Sequence, residues 1–266
     1  MRRIFNNRWM RILITGLNGT LAPHLASLAR ARSHEVVGWD RDAVSPDDAS
    51  AGDAFLRNTQ PDAIAHLGFG SEDWSARLAT WAAANDRSFV FTSTAMVFDH
   101  MPDGPHHVND ERTAKDDYGR YKIRCEDAIR AANPRACIAR IGWQIDIDDE
   151  GKARGNNMLA ALDQQQASDG RIRASTAWRP ACSFMGDTAL ALLQLIEQRS
   201  EGVVHLDSNA DSALNFYGLV TSLKVRFARA SWIIEPHAEY VHDQRLIAAE
   251  SSAVRIAPLS ARLGSQ

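Results

Sequence analysis

The stretch Arg11-Ile12-Leu13-Ile14-Thr15-Gly16-Leu17-Asn18-Gly19-Thr20-Leu21-Ala22 constrains the fold more than any other. A short apolar strand runs into two glycines, and a helix pattern follows over residues 21–32. Gly16 allows a tight turn, Gly19 lets the backbone approach a pyrophosphate, and Ala22 is small enough for close helix–strand packing. A helix starting there directs unpaired N–H groups and the positive end of its dipole at an anion in the turn. Such a turn belongs at the carboxyl end of the first strand of a doubly wound parallel sheet.

The pattern continues through the first half. Apolar runs at 35–40, 63–67, 88–92 and 136–141 have strand length, and a helix is expected over 118–133. Strands alternating with helices predict βαβ units, and apolar runs without alternation predict strands covered on both faces. The second half predicts helices over 157–168, 187–198 and 216–227, a strand over 202–206, and a poorly patterned tail. The 266 residues suit one large domain with an annex. The expected division is a Rossmann domain over 10–150 and a small α/β substrate domain over 151–266, joined at 151–155, with strands able to cross between the halves. Residues 1–9 read as an upstream extension of a chain starting at Met10.

Composition narrows the partners. Lys and Arg number 30 against 33 Asp and Glu, so no excess of positive charge draws the chain to nucleic acid. The runs of apolar residues, such as 189–193, are too short to span a bilayer, and the basic N-terminus lacks the apolar core of a secretory signal. Three scattered cysteines, Cys125, Cys137 and Cys182, read as free thiols of a reducing compartment. A cytoplasmic protein with neither a membrane nor a nucleic-acid partner is expected.

Three sets of residues carry chemistry. Asp40, at the end of the second expected strand, can accept hydrogen bonds from a ribose hydroxyl pair and would repel a 2′-phosphate, a preference that Arg41 softens. The expected cofactor is therefore NAD, with NADP admissible. Tyr118 and Lys122 stand four apart at a helix start and share a face. An ammonium beside a phenol lowers its pKa from about 10 toward working pH. A tyrosine so tuned exchanges a proton with a carbonyl or alcohol oxygen while hydride moves at the adjacent carbon. Thr94 ends the expected central strand, where a hydroxyl points into the ligand crevice and can donate to the same oxygen.

With these residues in this order, the chain resembles the extended short-chain dehydrogenase/reductases, and among them the dTDP-4-dehydrorhamnose reductase group, from residue 11 to about 223. Thr15-Gly16-x-x-Gly19-x-x-Ala22 is similar to the cofactor turn. Pro61-Asp62-Ala63-Ile64 is similar to the strand entry before the cofactor-lining segment, Ser93-Thr94-Ala95-Met96-Val97-Phe98-Asp99 to the stretch with the catalytic hydroxyl, and Tyr118-Gly119-Arg120-Tyr121-Lys122 to the catalytic pair. The resemblance implies an NAD(P)-dependent oxidoreductase that reduces a keto group of a nucleotide-linked sugar. It implies Tyr118, Lys122 and Thr94 as catalytic residues. Gly16, Asn18, Gly19, Thr20, Leu21, Asp40, Arg41, Leu67, Gly68 and Thr92 would hold the cofactor together with Tyr118 and Lys122. Thr94, Met96 and Trp143 would line the sugar site, and a homodimer is possible.

Departures from the pattern keep alternatives open. Ala95-Met96 replaces an Asp-Tyr pair, Gly68-Phe69-Gly70 replaces a run of alanines, the segment from Phe69 to Ser88 is short, and Asn85 is only a loose counterpart of the usual asparagine. A sugar-nucleotide epimerase or dehydratase uses the same trio, and a non-catalytic cofactor-binding regulatory subunit is a third reading. The loop with His100, His106, His107, Asp110 and Glu111 fits no defined metal motif and reads as a solvated substrate-side loop. Arg171, Arg173 and Arg179 are candidates for a diphosphate clamp, and Trp178 and Phe184 for stacking a base or sugar.

Overall fold

The structure, a computed structural model, describes residues 9–147, 152–153 and 155–264. Residues 1–8 of the expected upstream extension, and residues 151 and 154 of the expected junction at 151–155, lie outside them. The chain runs β1 (Arg11–Thr15), α1 (Leu21–Ala31), β2 (Glu35–Gly38), α2 (Ala49–Thr59), β3 (Ala63–His66), α3 (Glu72–Ala84), β4 (Ser88–Thr94), a 3-10 turn (Ala95–Phe98), α4 (Asp117–Ala132) and β5 (Cys137–Ile141). It continues through β6 (Trp143–Ile145), α5 (Met158–Asp169), β7 (Ile172–Ser175), β8 (Trp178–Arg179), β9 (Cys182–Phe184), α6 (Met185–Glu197), β10 (Gly202–Leu206), α7 (Phe216–Arg226), β11 (Ile234–His237), β12 (His242–Asp243) and α8 (Ser260–Leu263).

Six strands form one parallel sheet in the order β10-β5-β4-β3-β1-β2. Their apolar runs follow from burial on both faces. In β1, Ile12 and Ile14 pack into the layer with α1 and α6, while Leu13 packs into the opposite layer with α3 and α4. The first crossover leads from β1 to β2 and the next reverses to β3. The β1/β3 boundary is therefore the switch point, where a crevice opens beyond the carboxyl ends of the strands.

The second lobe has its own core of Ile145, Met158, Leu162, Ile172, Phe216, Leu219 and Trp232, with three two-stranded pairings, β6-β9, β7-β11 and β8-β12. The two lobes are not consecutive along the chain, and strands cross between the halves. After β9 the chain returns to the first lobe, where α6 packs against α1 and β10 pairs with β5, before α7 re-enters the second. Buried Leu192, Leu195 and Ile196 of α6 share the cluster with Leu25 of α1, and this apolar face places the segment there.

Glu126 locks α4 to the sheet. Its carboxylate, fully buried, accepts from Ser93 Oγ of β4, from Arg140 Nε and Nη2 of β5 at 3.0 and 2.8 Å, and from Arg112 Nη1 at 3.2 Å. Among the described residues, no helix is long and apolar enough to cross a membrane, and no group of three or more His, Cys, Asp or Glu is placed to hold a metal ion. The His100–Glu111 loop is not wholly solvated as expected. His106 is fully buried and stacks on Phe98 at 4.5 Å, because its backbone bridges to Arg245 and Ile247 and draws the ring inward.

Candidate active site

The glycine turn is built by contact between two chain reversals. Gly16 has φ +81°, and a Cβ there would lie 2.9 Å from the Gly68 Cα, so both the backbone conformation and the neighbouring chain demand glycine. Gly19 N–H donates to Gly16 O at 2.8 Å and closes the turn. Thr15 Oγ1 accepts from the Leu67 and Gly68 amides at 3.1 and 2.8 Å and donates to His66 Nδ1 at 2.8 Å. His66 Nε2 then donates to Ser75 Oγ at 2.9 Å, which donates onward to Ser71 O. Burial, reinforced by the charges of Lys122 and Arg41, pushes the His66 pKa down to about 3, so the imidazole is neutral and this relay keeps one sense. The relay clips the ends of β1 and β3 together. Sequence reading passed over His66, whose signal was a polar residue closing an apolar strand.

α1 begins with Thr20 at its N-cap, without a side-chain cap and without an acidic residue in the first turn. Its first N–H groups and positive dipole end are thus left for an anionic ligand. Gly16, Asn18, Gly19, Thr20 and Leu21 all line one cleft of about 1100 Å³, with Leu67 and Gly68 beside them.

Asp40 does not line this cleft. β2 ends at Gly38, earlier than expected, and the chain turns at once; the Asp40 carboxylate, solvent-exposed, accepts from the Asp42 amide of its own loop at 2.9 Å. Arg41 lines the cleft, its guanidinium 5.2 Å from the centroid of the Trp74 ring.

Tyr118, Lys122 and Glu126 fall one turn apart on the face of α4 that meets β4. Asp116 caps the helix by accepting from the Gly119 amide at 2.8 Å. Lys122 is buried, donates to Thr92 O at 2.8 Å, and lies 4.6 Å from the Phe91 ring centroid and 6.0 Å from that of Tyr118. Burial lowers its pKa to about 8. Tyr118 stands along the cleft wall. Its pKa is raised, mainly by desolvation, which the side-chain hydrogen bond with Thr94 opposes. The Lys122 ammonium is bonded to Thr92 O and stands 6.0 Å from the phenol ring, so desolvation outweighs the lowering expected at Tyr118.

Thr94 Oγ1 accepts from the Met96 amide at 3.2 Å, capping the 3-10 turn, and its own proton serves the hydrogen bond with Tyr118. Thr92, Thr94 and Met96 line the cleft, and from the second lobe so do Trp143 and Trp178, which pack with Phe216. Gln244 joins the lobes: its Oε1 accepts from Trp178 Nε1 at 3.1 Å and its Nε2 donates to Asp99 Oδ1 at 3.2 Å.

Other candidates stand elsewhere. Arg171 and Arg173 pair with Glu235 and Glu239 at 3.1 and 2.9 Å on exposed strands, and Arg179 is not in the cleft lining, so these three arginines form no clamp there. Asn85 caps the end of α3 and bonds Trp81 O, and Phe184 packs on Phe227 away from the cleft.

Comparison with known proteins points the same way. The RmlD substrate binding domain family matches residues 71–223. A dTDP-4-dehydrorhamnose reductase of Mycolicibacterium smegmatis is 30% identical over 228 residues, covering 77% of this chain and 66% of that protein. The chain thus spans about two thirds of that relative's length. In three dimensions the fold is similar to dTDP-4-dehydrorhamnose reductase from Bacillus anthracis, solved in complex with NADP (TM-score 0.79, 14% identity, 96% and 98% of the two chains). It is also similar to the enzyme WbmH of Bordetella bronchiseptica, solved with NAD+ (TM-score 0.76, 18% identity, 96% of each chain).

Proposed function

Because the chain belongs to the RmlD substrate-binding-domain family, we propose that it is an NAD(P)H-dependent reductase acting on a keto group of a nucleotide-linked sugar. The observation that carries this reading is the convergence of the glycine turn with Thr94, Tyr118 and Lys122 on one cleft between the lobes. The cleft suits a dinucleotide: the uncapped start of α1 offers amide donors, and the Gly16–Gly68 contact leaves no side chain in the way of a pyrophosphate. A bound reduced nicotinamide supplies the hydride.

The chain's own groups handle the proton. Raised by burial, the Tyr118 pKa keeps the phenol protonated at neutral pH, as a donor to a ketone oxygen must be. Thr94, its oxygen already engaged by the Met96 amide, donates to the same oxygen and orients it. Lys122 stays largely protonated below about pH 8 and stabilises the phenolate left behind. Incubated with dTDP-4-dehydrorhamnose and NADPH or NADH, the purified protein is expected to consume one equivalent of reduced cofactor per sugar reduced. Interconversion of the sugar without net cofactor consumption would favour the epimerase reading, and binding without turnover the regulatory one.

Arg41 and Lys122 are the cations lining the cleft among the described residues, and Asp40 is not part of that lining. That arrangement admits a 2′-phosphate next to Arg41. Arg41→Ala is expected to weaken NADPH binding about tenfold or more, since a charge-assisted bond contributes about 1.5–3 kcal/mol, and to change NADH binding little. Fluorescence titration of both cofactors checks this; equal losses for the two would remove Arg41 from the phosphate role.

A further inference from the structure

Tyr240 and His242 form a pair on the second-lobe wall that the reaction scheme above does not use. Both lie beyond residue 223, where the family match ends. Tyr240 lines the cleft, is 45% exposed, and stands edge-on to Trp178 at 5.5 Å. Its hydroxyl is 3.0 Å from His242 Nδ1. His242 is buried on β12, next to Asp243, whose own carboxylate is engaged by Arg245.

The imidazole fixes the phenol in place, and one further hydrogen-bonding position on the phenolic oxygen is left toward the cleft. If His242 Nδ1 carries the proton, Tyr240 donates to a ligand; if it does not, Tyr240 accepts from one. A sugar hydroxyl serves in either sense, a phosphate oxygen in only one. Local charge agrees. Asp99 lines the same end of the cleft, held by Gln244 at 3.2 Å, whereas among the described residues the lining cations, Arg41 and Lys122, belong to the first lobe. A carboxylate repels a diphosphate and accepts hydrogen bonds from a neutral polyol. The Trp178 ring beside Tyr240 adds an apolar face of the kind that packs on a sugar ring.

We propose that Tyr240, held by His242, hydrogen-bonds a hydroxyl of the sugar and so makes the C-terminal segment a determinant of which sugar is accepted. The inference rests on the nucleotide-sugar reading above. Tyr240 is the contact, and His242 a positioning residue that acts through it.

The test compares wild type with Tyr240→Phe, His242→Leu and His242→Asn, whose amide nitrogen stands where Nδ1 does. Steady-state kinetics use dTDP-4-dehydrorhamnose, and titrations use thymidine diphosphate without a sugar. Tyr240→Phe is expected to raise KM about tenfold, as one hydrogen bond warrants, with kcat within about twofold and thymidine diphosphate affinity unchanged. His242→Leu should reproduce the rise and His242→Asn should largely reverse it. An active wild type with an unchanged KM in Tyr240→Phe would overturn this inference alone, as would an equal loss of thymidine diphosphate affinity, which would move the contact to the phosphates. A wild type that binds dinucleotide but no nucleotide-linked sugar would overturn the functional reading, and this inference with it.

Discussion

Tyr118→Phe is expected to lower kcat about 10²- to 10⁴-fold while leaving dinucleotide affinity within a few-fold of wild type. The range is what a positioned general acid contributes. The variant removes the only proton that the phenol can give while keeping its ring against Lys122 and the cleft wall. Phe at this position neither disturbs the Thr94–Met96 cap nor the Lys122–Thr92 bond, so a loss of binding as large as the loss of turnover would show that the tyrosine holds ligand rather than moving a proton. The pH profile gives a second reading. The Lys122 pKa, lowered by burial to about 8, means that its charge is present below that pH and is lost as pH rises through it. Turnover should therefore decline above about pH 8 in wild type, and the residual activity of Lys122→Met should lack that limb. Rapid-mixing kinetics with separate cofactor titrations measure both effects.

Glu126→Ala is expected to destabilise the fold by about 3–5 kcal/mol, the usual cost of leaving one member of a buried ion pair alone. Arg140 is nearly as buried as its partner, with side-chain exposure of 3%, and the substitution removes two of its short bonds together with those from Ser93 and Arg112. The consequence for the site is positional. Glu126 is the third residue of the Tyr118–Lys122–Glu126 row, so loosening it frees the sheet-facing side of α4 on which the other two depend. Burial alone would raise the Glu126 pKa, but the guanidinium of Arg140, the Ser93 hydroxyl and the charge of Arg112 together bring it below the ordinary carboxylate value. A carboxylate depressed in this way contributes stability that is present above its unfolded pKa and fades as the solution is acidified through the folded one. Urea unfolding at pH 7 and at pH 4 should accordingly show a smaller gap between wild type and Glu126→Ala at the lower pH. Pairing Glu126→Leu with Arg140→Met should recover much of the loss, because an apolar pair of similar volume leaves no buried charge.

The first lobe was legible in the sequence because burial on both faces writes itself as uninterrupted apolar runs. Residues expected as strands at 63–67 and 88–92 form β3 (63–66) and β4 (88–94), and the helix expected over 118–133 spans 117–132. The site residues read most directly were those whose role needs a special backbone or spacing: Gly16 at φ +81°, and Tyr118 and Lys122 one turn apart. The end of β2 was less legible, because a strand end carries no signal for where the chain turns; β2 stops two residues short, and Asp40 accepts from the Asp42 amide of the loop that follows. The balance of effects on Tyr118 was also beyond sequence, since spacing shows that two side chains share a face but not how far desolvation raises the phenol or that Lys122 bonds Thr92 O. In the second lobe, strands of two to four residues such as β8, β9 and β12 are too short for periodicity to reveal. Tyr240, His242 and Gln244 were hidden for that reason in a tail without pattern.

The return of the chain to β10 has a consequence for how the molecule can be made. Until residues near 206 emerge from the ribosome, β5 has no neighbour on one side, and the apolar surface of Ile12, Ile14 and Val90 waits for α6. A nascent chain that long therefore holds an open edge and a bare face at once, the two features that let unfinished sheets add to one another. Vectorial synthesis cannot complete one lobe before starting the next, and maturation of the cleft is a late, concerted event rather than the docking of finished parts.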